Sequence, residues 1–280
     1  MHITDPVHFR AWRAELALDY EWRGARTVLA ARRHDGPLVV QKALYPEGDG
    51  VCHSIIVHPP AGIAGGDELE ITARADVGSH VLLTTPGAAK WYRSAGPWAR
   101  QQIAFTVENS ACIEWLPQET IVFNGALARS SIDVQLRGDA VYIGWEILCL
   151  GRNASSERFM SGKFQPRTQL TRDGAMLWME RGRLVGGGTL LDSPAGLAGC
   201  TVCGTLLATA PDVNVELLAA CREELPANGR AAITLMPGVL IARYLGDSSE
   251  AAKNYFMRLW QKIRLALMAR EAVLPRIWST

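Results

Sequence analysis

Apolar and polar residues alternate at every second position through much of this chain. Leu16, Leu18 and Tyr20 are separated by alanine or acidic residues, and the same alternation runs through Leu69, Ile71 and Ala73. It returns at Ile103, Phe105 and Val107 and at Ile132, Val134 and Leu136. A period of two puts one set of side chains on each face of an extended backbone, so these runs predict half-buried β-strands. Turn chemistry punctuates them. Arg172-Asp173-Gly174 and Ala227-Asn228-Gly229 carry the Asp-Gly and Asn-Gly pairs that favour tight hairpins. Short strands between turn residues predict a mainly β architecture. We find no repeat of fixed period, no low-complexity tract and no linker, and read residues 1–280 as a single domain.

One segment changes period. From Asp247 the chain reads DSSEAAKNYFMRLWQKIRLALMARE, which predicts an amphipathic helix over about 248–270. Asp247 is the expected N-cap, with Glu250 completing an acidic variant of the capping box. Ala252, Tyr255, Phe256, Leu259, Ile263, Ala266 and Leu267 share one face. Lys253, Arg258, Lys262, Arg264 and Arg270 occupy much of the remainder. Such a helix packs on a β body; a basic helix lying on a membrane surface is the alternative.

Composition narrows the classes. A chain of 280 residues buries a sizeable core without disulfides. Its 48% hydrophobic and 20% charged residues suit a globular protein, and the nine Trp fit an ordinary core. A net charge of +1 supplies no attraction for nucleic acid or an anionic membrane. Asp5, Arg10, Arg13 and Glu15 leave no apolar stretch for a signal peptide, and Glu146 interrupts the apolar run VYIGWEILCL. A cytoplasmic location is expected, with the six Cys reduced.

The candidate chemistry is sparse. No G-x-x-x-x-G-K-[ST], G-x-S-x-G or H-E-x-x-H is present, which argues against a P-loop nucleotidase, a serine hydrolase or a zincin. Cys200 and Cys203 form a CxxC, but the segment reads as a strand, whose positions i and i+3 face opposite ways. Structural thiols are expected there. His53, His58 and His80, with Cys52 and Asp67 nearby, offer ligands for a divalent ion such as nickel. The alternative is that His58, before Pro59-Pro60, simply holds a turn.

Acidic residues inside apolar runs are more telling: Asp67, Glu114, Glu119, Glu146 and Glu180. Carboxylates are rarely buried without a partner. Each pairs with an arginine, or together they line a polar path. Two Gly/Pro-rich stretches, HPPAGIAGGDELEI from His58 and LLTTPGAAKWYRSAG from Leu82, specify loop shape closely. In the second, Trp91, Tyr92 and Arg93 are candidate interface residues, with internal packing as the alternative.

The chain resembles the urease accessory protein D family, called H in some bacteria, from about Glu15 to its last residue. The matching stretches are GPLVVQKALYPEG, HPPAGIAGGDELEI, LLTTPGAAKWYRS, EWLPQETIVFNGA, GWEILCLGR, AGLAGCTVCGTLL, ARYLG and PRIWST. Departures are mild: Ala61 where the family usually has Gly, Trp91 where it usually has Phe, and Asn124 where it often has Asp.

The resemblance implies a β-helix-like stack of strands with a small helical part and a non-enzymatic role. It implies a scaffold joining accessory protein F and the GTPase accessory protein G on apo-urease. Nickel would then be cargo in transit, GTP would be used by G, and this chain would hold no permanent cofactor. Neither nucleic acid nor membrane is an expected partner, and a homodimer within the complex stays open. Asp67 and Glu180 fall where the family has been thought to line a nickel passage; Glu119 and Glu146 join them from their apolar settings. Rival readings are a metal-dependent hydrolase using His53, His58 and Asp67, and a plain structural subunit without a passage.

Overall fold

The computed structural model describes residues 11–279. The extreme N-terminus that carries Asp5 and Arg10, and with it the signal-peptide reading, lies outside the described residues. The elements in chain order are strands β1 (Arg13–Arg23), β2 (Arg26–Asp35), β3 (Val39–Leu44), β4 (Val51–Val57), β5 (Glu68–Ala75) and β6 (His80–Thr84). Next come β7 (Ala89–Trp91), β8 (Ala99–Val107), β9 (Cys112–Trp115), β10 (Thr120–Val122), β11 (Leu127–Leu136), β12 (Val141–Leu150) and β13 (Lys163–Arg172). The C-terminal part holds β14 (Ala175–Arg181), β15 (Leu184–Val185), helix α1 (Thr189–Asp192), β16 (Val202–Thr209), helix α2 (Val215–Arg222), β17 (Arg230–Met236), β18 (Val239–Gly246) and helix α3 (Ser249–Met268).

The chain winds between two sheets, as the mainly β, β-helix-like expectation requires. Strands β5, β8, β11 and β13 run parallel in the first sheet; β4, β6, β9 and β12 run parallel in the second. Antiparallel strands extend both: β1–β2 and β13–β14 in the first, β3–β4 and β12–β16–β18–β17 in the second. Parallel register stacks like residues between coils. Leu16, Ile71, Ile103 and Ile132 form one row, and Leu18, Ala73, Phe105 and Val134 the next. All eight are buried in the layer between the sheets, where the alternation read from the sequence places them.

The turns that follow β8, β11 and β13 are stitched to one another. Asn109 accepts from the Asp139 amide, Asp139 from the Ser110 amide at 2.5 Å, and Asp173 from the Gly138 amide at 3.1 Å. Asp173-Gly174 forms the expected hairpin between β13 and β14, both residues at positive φ (49° and 81°) as a type I′ turn demands. Asn228-Gly229 does not make a hairpin. It joins α2 to β17, because Asn214 caps a helix there that the alternation did not announce.

Helix α3 covers the outer face of the second sheet. Leu82, Leu116, Ile143, Trp145 and Ile147 meet Tyr255, Phe256, Leu259, Trp260 and Ile263 in a second apolar cluster. Gly204 on β16 permits this approach, since a Cβ there would lie 2.7 Å from the Phe256 ring. Three details differ from the sequence reading. The N-cap is Ser248, whose hydroxyl accepts from the Ala251 amide, while Asp247 accepts from the Thr201 amide and hydroxyl. Ala266 is exposed, and Arg264, assigned to the polar face, is fully buried. The C-terminal segment then folds back. Trp278 stacks its ring edges near Trp145 and Trp260 and donates to Thr84 Oγ1 at 2.8 Å.

Candidate functional site

A cavity of about 210 Å³ lies on one side of the inter-sheet layer, its walls including His58, Lys90, Gln101, Trp115, Gln118 and Glu146. A second of about 360 Å³ has Tyr142, Thr168, Glu180, Cys203, Arg243 and again Glu146 in its walls. Thr120 and Glu146 belong to both, so the two spaces meet at these side chains. On β12, Trp145 and Ile147 point to the α3 side, which turns Glu146 inward. The small accessible part of Glu146 therefore faces the cavities and not bulk water.

That setting changes its chemistry. Burial pushes the Glu146 carboxyl up to about 7; a hydrogen bond from Thr168 Oγ1 at 3.1 Å pulls the other way, and the nearby Glu180 charge adds to the rise. Glu180 forms a 2.6 Å ion pair with Arg243, which also donates to Thr205 at 2.7 Å. Together these groups make the second cavity polar along one wall and apolar elsewhere.

The other acids named from the sequence sit differently. Asp67 accepts from the backbone amides of Trp12 (2.9 Å) and Ala64 (2.8 Å) and lines neither cavity. Its charge reaches His58, whose imidazole burial drives below its usual pKa against the pull of Asp67. Glu119 also lines neither cavity; its charge acts on Cys149 and Lys253. Trp91 is buried edge-on to Phe164, Tyr92 is half-buried against Phe123, and Arg93 is exposed. Within that triplet, Arg93 is the one exposed residue.

The histidines do not converge on His58 and Asp67. His53 pairs with Glu47 at 2.5 Å and His80 with Glu114 at 2.6 Å. Arg264, reaching down from α3, bridges Glu47 at 2.6 Å and Glu114 at 3.2 Å, and the Trp260 indole N–H donates to Glu114. Burial alone would raise both carboxyls. Hydrogen bonds and positive charge from the histidines and Arg264 outweigh it, aided at Glu114 by Trp260, and hold both below the ordinary range. The sequence signalled Glu114 as an acid in an apolar run. Glu47 and Arg264 carried no such signal: Glu47 sits between Pro46 and Gly48 in a turn, and Arg264 reads as one more basic residue of an amphipathic helix. Cys200 lies outside β16 and Cys203 within it; both are free thiols.

Comparison with known proteins places the fold. The architecture is a β-solenoid closed on one face by a helix, with a polar-walled interior. A family model described as UreD urease accessory protein matches residues 13–279. The chain is 55% identical to "Urease accessory protein UreD" of Dechloromonas aromatica (strain RCB), over 99% of this chain and 98% of the relative. It is 54% identical to the protein of that name from Azoarcus sp. (strain BH72), over 100% of this chain and 97% of the relative. This chain belongs to the UreD urease accessory protein family. Among the described residues, no helix is long and apolar enough to cross a membrane.

Proposed function

We propose that this protein is a non-enzymatic scaffold for urease maturation, acting in the cytoplasm. With accessory protein F and the GTPase accessory protein G it forms a complex that delivers nickel to apo-urease through its interior. The observation that carries this reading is the pair of cavities meeting at Glu146, inside a member of a urease accessory family. Oxygen donors spaced along a passage let an ion enter and leave, whereas a closed cage of thiolates and imidazoles would retain it. We assign this role to Glu146, which lines both cavities, and Glu180, which lines the second. Asp67 supports it indirectly, by pinning the Ala64 turn and facing His58. Nucleotide chemistry stays with the partner GTPase, and the nickel is cargo.

The test is co-expression with F, G and apo-urease, followed by pull-down and by assays of nickel content and urease activity with and without GTP. Glu146→Ala and Glu180→Ala variants should still enter the complex but lower the nickel content of urease. Normal nickel loading in both variants would remove the passage from the account. Failure of the wild-type chain to bind any of the three proteins would remove the scaffold.

A further inference from the structure

The buried ionic cluster beneath α3 contains more than docking the helix requires. Glu47, Glu114, Arg264 and Trp260 form one connected network, in which Arg264 Nε approaches Glu114 at 3.2 Å without a hydrogen bond of its own. Beside them stand groups that this lock does not need. Strands β6 and β9 pair in parallel with His80 directly opposite Cys112, and Glu114 follows two residues on, on the same face. A ring nitrogen of His80, the Cys112 sulfur and a Glu114 oxygen all lie within 4.8 Å of one another. The last turn of α3 adds a thioether, Met268 Sδ, 3.7 Å from Cys112 Sγ. Cys112 has no stronger polar partner than this among the described residues.

His80, Cys112 and Met268 line a cleft of about 430 Å³ whose walls also hold Asp139, Asp212 and Arg270, while Glu114 is fully buried behind them. The cleft supplies an entry route from solvent, bordered by two further carboxylates. Imidazole, thiol and thioether together select borderline-soft ions over Mg²⁺ or Ca²⁺.

We propose that His80, Cys112 and Glu114, with Met268 beside them, form a site for one divalent transition-metal ion of the Ni²⁺ or Zn²⁺ class, entered from this cleft. On binding, a metal–sulfur bond replaces the Cys112 S–H bond and the proton leaves to solvent. The site lies on the α3 side of the second sheet. Glu146 lies on its other face, so the site and the passage are physically separate and neither depends on the other.

The experiment uses the purified full-length chain with Ni²⁺ alone and with Zn²⁺ alone, reading stoichiometry by equilibrium dialysis. Thiolate-to-nickel charge-transfer absorption reports the ligand. Wild type should bind one ion at this site and show the band. Cys112→Ser should lose the band and bind that ion about ten-fold or more weakly. Met268→Leu should weaken it less. Nickel bound without the band, no binding of either ion, or wild-type affinity in both ligand variants would each overturn the proposal. If Cys112→Ser fails to fold, alkylation of Cys112 in the wild type, mapped by mass spectrometry, decides the matter. Saturating metal should protect this thiol, and equal labelling with and without metal would count against the site. Because urease activation is not the readout, the scaffold reading can fail without affecting this result.

Discussion

Glu114 and Glu146 stand on adjacent strands of one sheet and face opposite ways, and this reversal separates their chemistry. Glu114 meets Arg264, His80 and Trp260 and stays ionised. Glu146 meets a threonine, another acid and cavity space, and burial raises it to about 7. A raised acid favours the folded state in its protonated form. That contribution is complete below the ordinary value of 4.5 and is lost as pH rises through about 7. Glu146→Gln should therefore match wild type at pH 4.5 and be more stable by about 1–3 kcal/mol at pH 8. Urea unfolding at the two pH values checks this; an equal difference at both would refute it. Ala61 offers a second test at this scale. It sits at φ 60°, a region that costs a Cβ-bearing residue about 1–2 kcal/mol. Ala61→Gly gives part of this back as unfolded-chain entropy and should still raise stability, by up to about 1 kcal/mol in the same assay.

At the scale of elements, α3 is held by apolar contact and by one buried cation. Its face buries Tyr255, Phe256, Leu259, Trp260 and Ile263, and Arg264 fixes the position of the C-terminal half against β9 and the β3–β4 connection. Removing one partner of a buried ion pair costs more than the pair contributes, because the other charge is left without compensation. Arg264→Met should lower stability at pH 7 by about 3–5 kcal/mol and expose α3 to limited proteolysis. The lowered pKa values of Glu47 and Glu114 give the sign with pH. Their stabilisation is present above the ordinary value of 4.5 and disappears as pH falls through the lower folded-state values. The Arg264→Met deficit should shrink in acid, and a deficit constant from pH 7 to pH 3 would contradict this account. Solenoid coils belong to this scale too. The sequence shows no fixed period because the loops between strands differ in length; the parallel register and the stitched turns at Asn109, Asp139 and Asp173 reveal the stack.

For the whole molecule, the two layers divide the work. The space between the sheets holds the cavities that meet at Glu146. The outer face of the second sheet holds α3, the folded-back Trp278 and the His80–Cys112–Glu114 group. A scaffold that passes nickel through the first layer should lose urease loading in Glu146→Ala while keeping its partners. Much of this was legible in the chain. Strand class, burial of Leu16, Ile71, Phe105 and Val134, the Asp173-Gly174 hairpin and the existence of α3 all depend on local periodicity or turn chemistry. Family membership was legible because ordered motifs span the length of the chain. The rest waited on tertiary structure. Which acids share a cavity, which meet an arginine and which cap a turn depends on sheet register and strand facing, and residues distant in sequence set both. Arg264 looks like any surface arginine along its helix; only the arrival of Glu47 and Glu114 beneath it makes burial of its charge affordable.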